Sequence, residues 1–303
     1  MPTKLLRLAA LGLAPLLAPA TPAAAAPAAT PAFIPTRFSV VVEGTGPDVI
    51  LIPGLASPRD VWNGARIALG GKYRLHLVQL AGFGGTPAGA NATGAILAPT
   101  VEELNRYIAA NRLKAPAVVG HSMGGLMGLM LARAHPQSVG RLMIVDSLPF
   151  IGTLFDPDAT VAAITPQATG MRDAMLAAAA RQAGKPRTPG APIPFMSITP
   201  EGARQVALWS SQADPSVSAR AMYEDMTTDL RPALPAIRTP ITMLYPYSSK
   251  SFGADHAKAI YATAYQGAPN ARLVAVPESF HFIMLDQPAV FATALRQFLQ
   301  EKR

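Results

Sequence analysis

The chain has 303 residues, half of them hydrophobic, a formal charge of +8 and no cysteine. The missing cysteines exclude disulfide staples, thiol catalysis and cysteine-ligated metal. Its Lys and Arg residues are scattered, without a basic block or interleaved aromatics, so the charge reads as a solvated surface rather than a nucleic-acid footprint.

The first residues read as a leader. Lys4 and Arg7 precede an apolar run over 8–18, and Ala-x-Ala follows at 23–25. That order matches a secretory signal peptide over 1–26 and implies export, to a periplasm or beyond. Pro15 and Pro19 interrupt an apolar run already too short to span a bilayer as a helix. A proline-rich linker over 27–36 comes next.

From 37 onward, strand and helix alternate. Residues 37–43 alternate like an edge strand, whereas 48–53 are nearly continuous in apolar residues, the mark of a strand buried on both faces. A helix through Trp62 to Leu69, a strand over 73–80 and a turn at Gly82–Gly85 follow. A helix over 99–112, capped by Thr100, turns Leu104, Tyr107 and Ile108 inward. Then come strand 117–119, a helix to about His135, and strand 141–146. This rhythm predicts an α/β fold with a mostly parallel sheet and helices on both faces.

The alternation stops over 147–237. Helical stretches near 159–183, 201–213 and 215–229 flank the proline-rich 185–194, and no strand run occurs. This reads as a helical cap inserted into a core formed by 37–146 and 238–303. Met171, Met175, Met196, Met222 and Met226 supply either an adaptable apolar wall or the cap's own core. The core rhythm then resumes with strand 241–245, helix 255–266, strand 272–276 and helix 289–301.

The chemistry concentrates at Gly120-His121-Ser122-Met123-Gly124, between an apolar strand and an apolar helix. A serine there sits on a sharp turn at a helix N-terminus, where its hydroxyl is exposed and a developing anion is favoured. Ser122 is the candidate nucleophile, and a serine hydroxyl needs a base within reach.

This elbow, the Pro53-Gly54-Leu55 loop with Trp62, the Gly82–Gly85 loop, the cap insertion and His281 after the last strand together resemble the α/β-hydrolase-fold serine hydrolases, over nearly all the mature length. The resemblance implies His281 as the base, since the fold places its catalytic histidine in that loop. The usual place for the acid, the loop after strand 241–245, reads Pro246-Tyr247-Ser248-Ser249-Lys250 and holds no carboxylate before Asp255. The alternative place, the end of the strand after the elbow helix, holds Asp146. Asp146 is favoured because the strand end fixes it beneath the site, while Asp255 is expected to cap a helix. The oxyanion hole is expected from the backbone N–H groups of Leu55 and Met123.

The resulting expectation is a serine hydrolase, carboxylesterase-like, acting on small to medium and mainly apolar esters. A cofactor-free haloperoxidase, a C–C or lactone hydrolase, and a catalytically silent binding protein are the alternatives on the same scaffold. No cofactor and no metal are called for. The expected partner is a small-molecule substrate, with no nucleic acid and no stable membrane insertion once the leader is removed. The oligomeric state is left open.

Overall fold

The computed structural model describes residues 33–301. The expected leader and the first part of the linker lie outside the described residues. Strand β1 (Phe38–Glu43), β2 (Asp48–Ile52), α1 (Asn63–Leu69) and β3 (Arg74–Leu80) open the fold. Helix α2 (Leu97–Ala110), β4 (Ala117–His121), α3 (Met123–Ala134) and β5 (Arg141–Val145) continue it. Helices α4 (Val161–Gln182), α5 (Pro200–Gln212) and α6 (Pro215–Thr227) then precede β6 (Ile241–Tyr247). Helix α7 (Ala254–Ala264), β7 (Ala271–Pro277), the single turn α8 (Ile283–Asp286) and α9 (Pro288–Gln300) complete it.

Among the described residues the strands form one sheet in the order β1-β3-β2-β4-β5-β6-β7. Only the edge pair β1–β3 is antiparallel. The apolar runs bury both faces, as their continuity requires. Ile50, Ile52, Val118 and Ile144 pack on one side with Leu104 and Ile108 of α2 and with Leu126 and Leu129 of α3. Val49, Leu51, Val119 and Val145 pack on the other with Leu69 of α1 and Phe291, Leu295 and Phe298 of α9.

Register positions the site. β4 is the central strand, with β2 and β5 as its parallel neighbours. The loops leaving the carboxyl ends of β2, β4 and β5 therefore emerge side by side, where open parallel sheets place their ligands. Those loops begin with Pro53, Ser122 and Asp146.

Two local readings change. Thr100 is not the cap of α2, which starts earlier, at Leu97. The Thr100 hydroxyl bonds back to the Ile96 carbonyl at 2.6 Å, and Glu224 of α6 caps the helix by accepting from the N–H groups of Ile96 (2.8 Å) and Leu97 (2.8 Å). A distant carboxylate replaces the local hydroxyl, so no local pattern could show it. Likewise Gly253, not Asp255, is the N-cap residue of α7; Asp255 sits exposed in the first turn.

The segment between β5 and β6 is fastened by side-chain caps at its helix starts. Thr160 accepts from Ala163 N–H at 3.2 Å, Thr199 from Gly202 N–H at 3.1 Å, and Asp214 from the N–H groups of Ser216 and Val217 at 2.9 and 3.0 Å. The turn at Gly82–Gly85 holds this segment to the core: Gly85 N–H donates to Gln212 O at 3.0 Å and Asp214 N–H to Gly82 O at 2.5 Å. Met222 and Met226 pack with Phe150, Ile164 and Ala168 as the helices' own core. No helix among the described residues is long and apolar enough to cross a membrane.

Candidate active site

The serine elbow is a strained turn. Ser122 has φ 54° and ψ −128°, a conformation that L-residues rarely adopt and that costs on the order of 1–3 kcal/mol. Surrounding backbone enforces it. A Cβ on Gly120 would lie 2.3 Å from the Gly124 carbonyl oxygen, and one on Gly124 would lie 2.3 Å from that of Ile52. Both positions must be glycine for the strand, turn and helix to close this tightly.

Ser122 is pinned through its backbone. Its N–H donates to Val145 O at 3.0 Å, and its carbonyl accepts from Gly125 N–H at 2.7 Å. The N–H groups of Leu55 and Met123 take part in no hydrogen bond among the described residues. Both are therefore free to donate to a bound oxygen.

His281 comes from the loop after β7, two strands beyond β5, and is clamped on both sides. Its N–H donates to Phe195 O at 3.1 Å, the next N–H, of Phe282, donates to Met196 O at 2.8 Å, and its carbonyl accepts from His121 Nε2 at 3.1 Å. Asp286 ties the same loop to the inserted segment, accepting from Ser197 Oγ and from the N–H groups of Ile198 (3.0 Å) and Phe280 (2.8 Å).

The carboxylate that meets His281 is that of Asp146. Its Oδ2 accepts from His281 Nδ1 at 2.6 Å, and its Oδ1 accepts from the Tyr261 hydroxyl. Because the carboxylate only accepts, Nδ1 carries the proton and Nε2 is left as the basic nitrogen. Burial, with the charge and hydrogen bond of Asp146 added, holds the Tyr261 phenol well above its usual value, so it stays a donor. Asp255 lies outside this network, and Glu278 accepts from Ser248 Oγ at 3.2 Å instead. Among the described residues no hydrogen bond joins Ser122 Oγ to His281; such contacts commonly tighten only around substrate.

His121 sits beneath the elbow, fully buried, with its ring 4.7 Å from that of His281 and 4.6 Å from that of Phe282. Burial first, then the neighbouring His281, pushes its pKa well below the usual value. It is a neutral ring whose Nε2–H holds the His281 backbone. His76 is also structural, bonded to Tyr107 at 2.7 Å and Asp48 at 2.9 Å. Among the described residues no group of three or more His, Cys, Asp or Glu could hold a metal ion.

Ser122 and His281 line one cavity of about 1090 Å³. Its walls include Leu55, Met171, Met175, Met196 and Phe282, so three of the five methionines face the cavity and two do not. A feature with no sequence signal also faces it: Asp225, near the end of α6, whose carboxyl is raised from 3.8 to about 7 by burial, which outweighs the opposing influence of His281. Between those values the folded protein keeps a proton that the unfolded chain releases, so stability falls as pH rises from about 4 to about 7. Asp225→Asn cannot ionise, and it is expected to raise Tm at pH 8 by ~2–6 °C while changing it little at pH 4. That range is the shift discounted, for partial exposure to the cavity, to about 1–2 kcal/mol. Equal changes in Tm at both pH values would contradict it.

A model of the alpha/beta hydrolase family matches residues 49–294, most of the chain. The chain belongs to this family. Among curated proteins of known sequence, a pimeloyl-[acyl-carrier protein] methyl ester esterase of Aeromonas hydrophila is 37% identical over 114 residues, which are 37% of this chain and 43% of that enzyme. An enzyme of the same name from Salmonella heidelberg is 29% identical over 206 residues, 66% of this chain and 74% of its own length. The first of these matches thus spans less than half of its relative's length. Among solved structures, an esterase from Thermogutta terrifontis superposes with a TM-score of 0.68 at 21% identity, covering 87% of this chain and 93% of that one. An enol-lactonase from Burkholderia xenovorans gives 0.66 at 18% identity, covering 87% and 96%. These alpha/beta hydrolases share the fold, and the matched span takes in Leu55, Ser122, Asp146 and His281.

Proposed function

We propose that the protein is an exported serine hydrolase that cleaves small to medium, mainly apolar esters with a Ser122–His281–Asp146 triad. The observation that carries this reading is the 2.6 Å hydrogen bond from His281 to Asp146, with His281 lining the same cavity as a strained, half-buried Ser122. His281 Nε2 takes the proton from Ser122 Oγ as the hydroxyl oxygen attacks the ester carbonyl. Asp146 holds the ring and stabilises the imidazolium formed. The N–H groups of Leu55 and Met123 receive the oxyanion. The imidazolium then protonates the leaving alcohol, and water, activated by the same nitrogen, releases the acid from the acyl-enzyme. Export rests on the basic, apolar and Ala-x-Ala sequence of residues 1–26.

The named esterases support the ester as the bond attacked, and the methionine-lined wall supports a neutral, apolar acyl or alcohol group. A series of neutral and charged p-nitrophenyl esters of increasing acyl length tests it. kcat/KM is expected to be highest for neutral acyl chains. Better turnover of a highly charged ester than of a neutral one of equal size would contradict it.

The Tyr261 hydroxyl gives a second test of the acid. Tyr261→Phe removes one of the two partners of Asp146 and leaves its Oδ1 without a donor. The expected result is a loss of roughly tenfold in kcat and about 1 kcal/mol or more in stability. Unchanged kcat in this variant would mean that Asp146 needs no help to orient His281.

A further inference from the structure

Hydrolysis by the triad leaves Asp225 unused. This carboxyl lines the cavity that holds Ser122 and His281, and among the described residues no donor hydrogen-bonds to it. The residue is half-buried, its carboxyl facing the cavity rather than a protein donor.

The helix that carries Asp225 is fixed in place. Glu224, the preceding residue, is held by the N–H groups of Ile96 and Leu97. Arg220, one turn earlier, donates to Gly94 O at 2.9 Å and Asn91 O at 2.5 Å. Successive side chains on a helix point about 100° apart, so anchoring Glu224 on α2 directs Asp225 away from α2. Met226, on its other side, is committed to the helices' own core.

Among the described residues no cation forms an ion pair with it, Lys185 on the same cavity wall included. On α4, Arg172 lies over the Tyr223 ring and pairs with Asp173. On the loop after α4, Arg187 donates to Ala213 O at 2.8 Å. His281 is the titratable side chain that influences Asp225 electrostatically. A carboxyl open to the cavity, close to the base, and without an internal donor is placed to accept a hydrogen from the substrate.

We propose that Asp225 is a specificity-determining residue, which accepts a hydrogen bond from a hydroxyl or amide N–H that the substrate carries close to its scissile ester. The proposal rests on the hydrolase reading and narrows it: the preferred substrates are apolar esters with one such donor, hydroxyacyl esters being the simplest.

The test compares p-nitrophenyl octanoate with its 2-hydroxy and 3-hydroxy counterparts, on the wild-type protein, Asp225→Asn and Asp225→Leu. At about pH 8.5, where the carboxyl is ionised, the wild type is expected to favour one hydroxy ester over octanoate by ~10–100-fold in kcat/KM, the range of a hydrogen bond to a charged group. Asp225→Leu should abolish that ratio, and Asp225→Asn, whose amide oxygen still accepts, should keep part of it. A ratio near one in the wild type, or a ratio that survives in Asp225→Leu, overturns the proposal. A purely structural Asp225 would lower all three substrates together. Calorimetric binding of methyl 3-hydroxyoctanoate, methyl 2-hydroxyoctanoate and methyl octanoate to Ser122→Ala, with and without Asp225→Leu, separates the two levels. Should Ser122 chemistry be absent, no ester turns over but the hydroxyl preference in binding remains. Turnover that persists with no preference in either assay leaves the hydrolase intact and removes Asp225 from recognition.

Discussion

Ser122→Ala is expected to lower kcat for ester hydrolysis by on the order of 10⁴ or more, with the fold unchanged. The magnitude follows from the nucleophile's place in a unit that fails as a whole, leaving only oxyanion binding and substrate positioning. The fold should survive because the hydroxyl makes no hydrogen bond among the described residues. The positive φ of residue 122 remains strained for alanine as for serine, so no strain is relieved. A folded Ser122→Ala protein that keeps most of its esterase activity would move the chemistry elsewhere.

The second large effect is expected at Asp146. Replacing one carboxylate oxygen with an amide nitrogen makes residue 146 a possible donor to His281 Nδ1, so the ring can present its protonated nitrogen to Ser122. In a serine-protease triad of known mechanism the corresponding change costs about 10⁴ in kcat, and a similar loss is expected for Asp146→Asn. Circular dichroism should show the protein still folded. Asp255→Asn is the control: this side chain is exposed in the first turn of α7, away from His281, and less than a twofold change in kcat is expected. Collapse in Asp255→Asn with Asp146→Asn near wild type would reverse the assignment.

These two carboxylates also show how much of the site can be read from sequence. Strand-end residues were legible because parallel strands announce themselves as apolar runs, and their ends are where the chain must turn. That marked Ser122, Leu55 and Met123 as candidates, and it made Asp146 the better candidate over Asp255. The supporting groups were not legible. Tyr261 lies on α7 and Tyr265 just after it, a spacing that reads as core, and only the packing of α7 against β6 and β7 turns the Tyr261 hydroxyl to Asp146. Asp286 and Glu224 act across the chain, on backbone N–H groups that no local motif marks. The helix boundaries failed for the same reason at Thr100, where a distant carboxylate displaced the local cap. Among the five methionines, composition could not separate the wall (Met171, Met175, Met196) from the helices' own core (Met222, Met226). Asp225 carried no signal at all, since a lone aspartate in an amphipathic helix reads as a solvated face.

The central claim is that Ser122 is an activated nucleophile, and a fluorophosphonate probe tests it without knowledge of the substrate. Only a serine with a base in reach attacks the phosphorus at a useful rate. Intact-mass and peptide mapping of the protein after labelling should show one adduct per chain, on the peptide carrying Ser122, with none in Ser122→Ala and much slower labelling in His281→Ala. A folded wild-type protein that does not react, or that carries the adduct on another residue, would contradict the account.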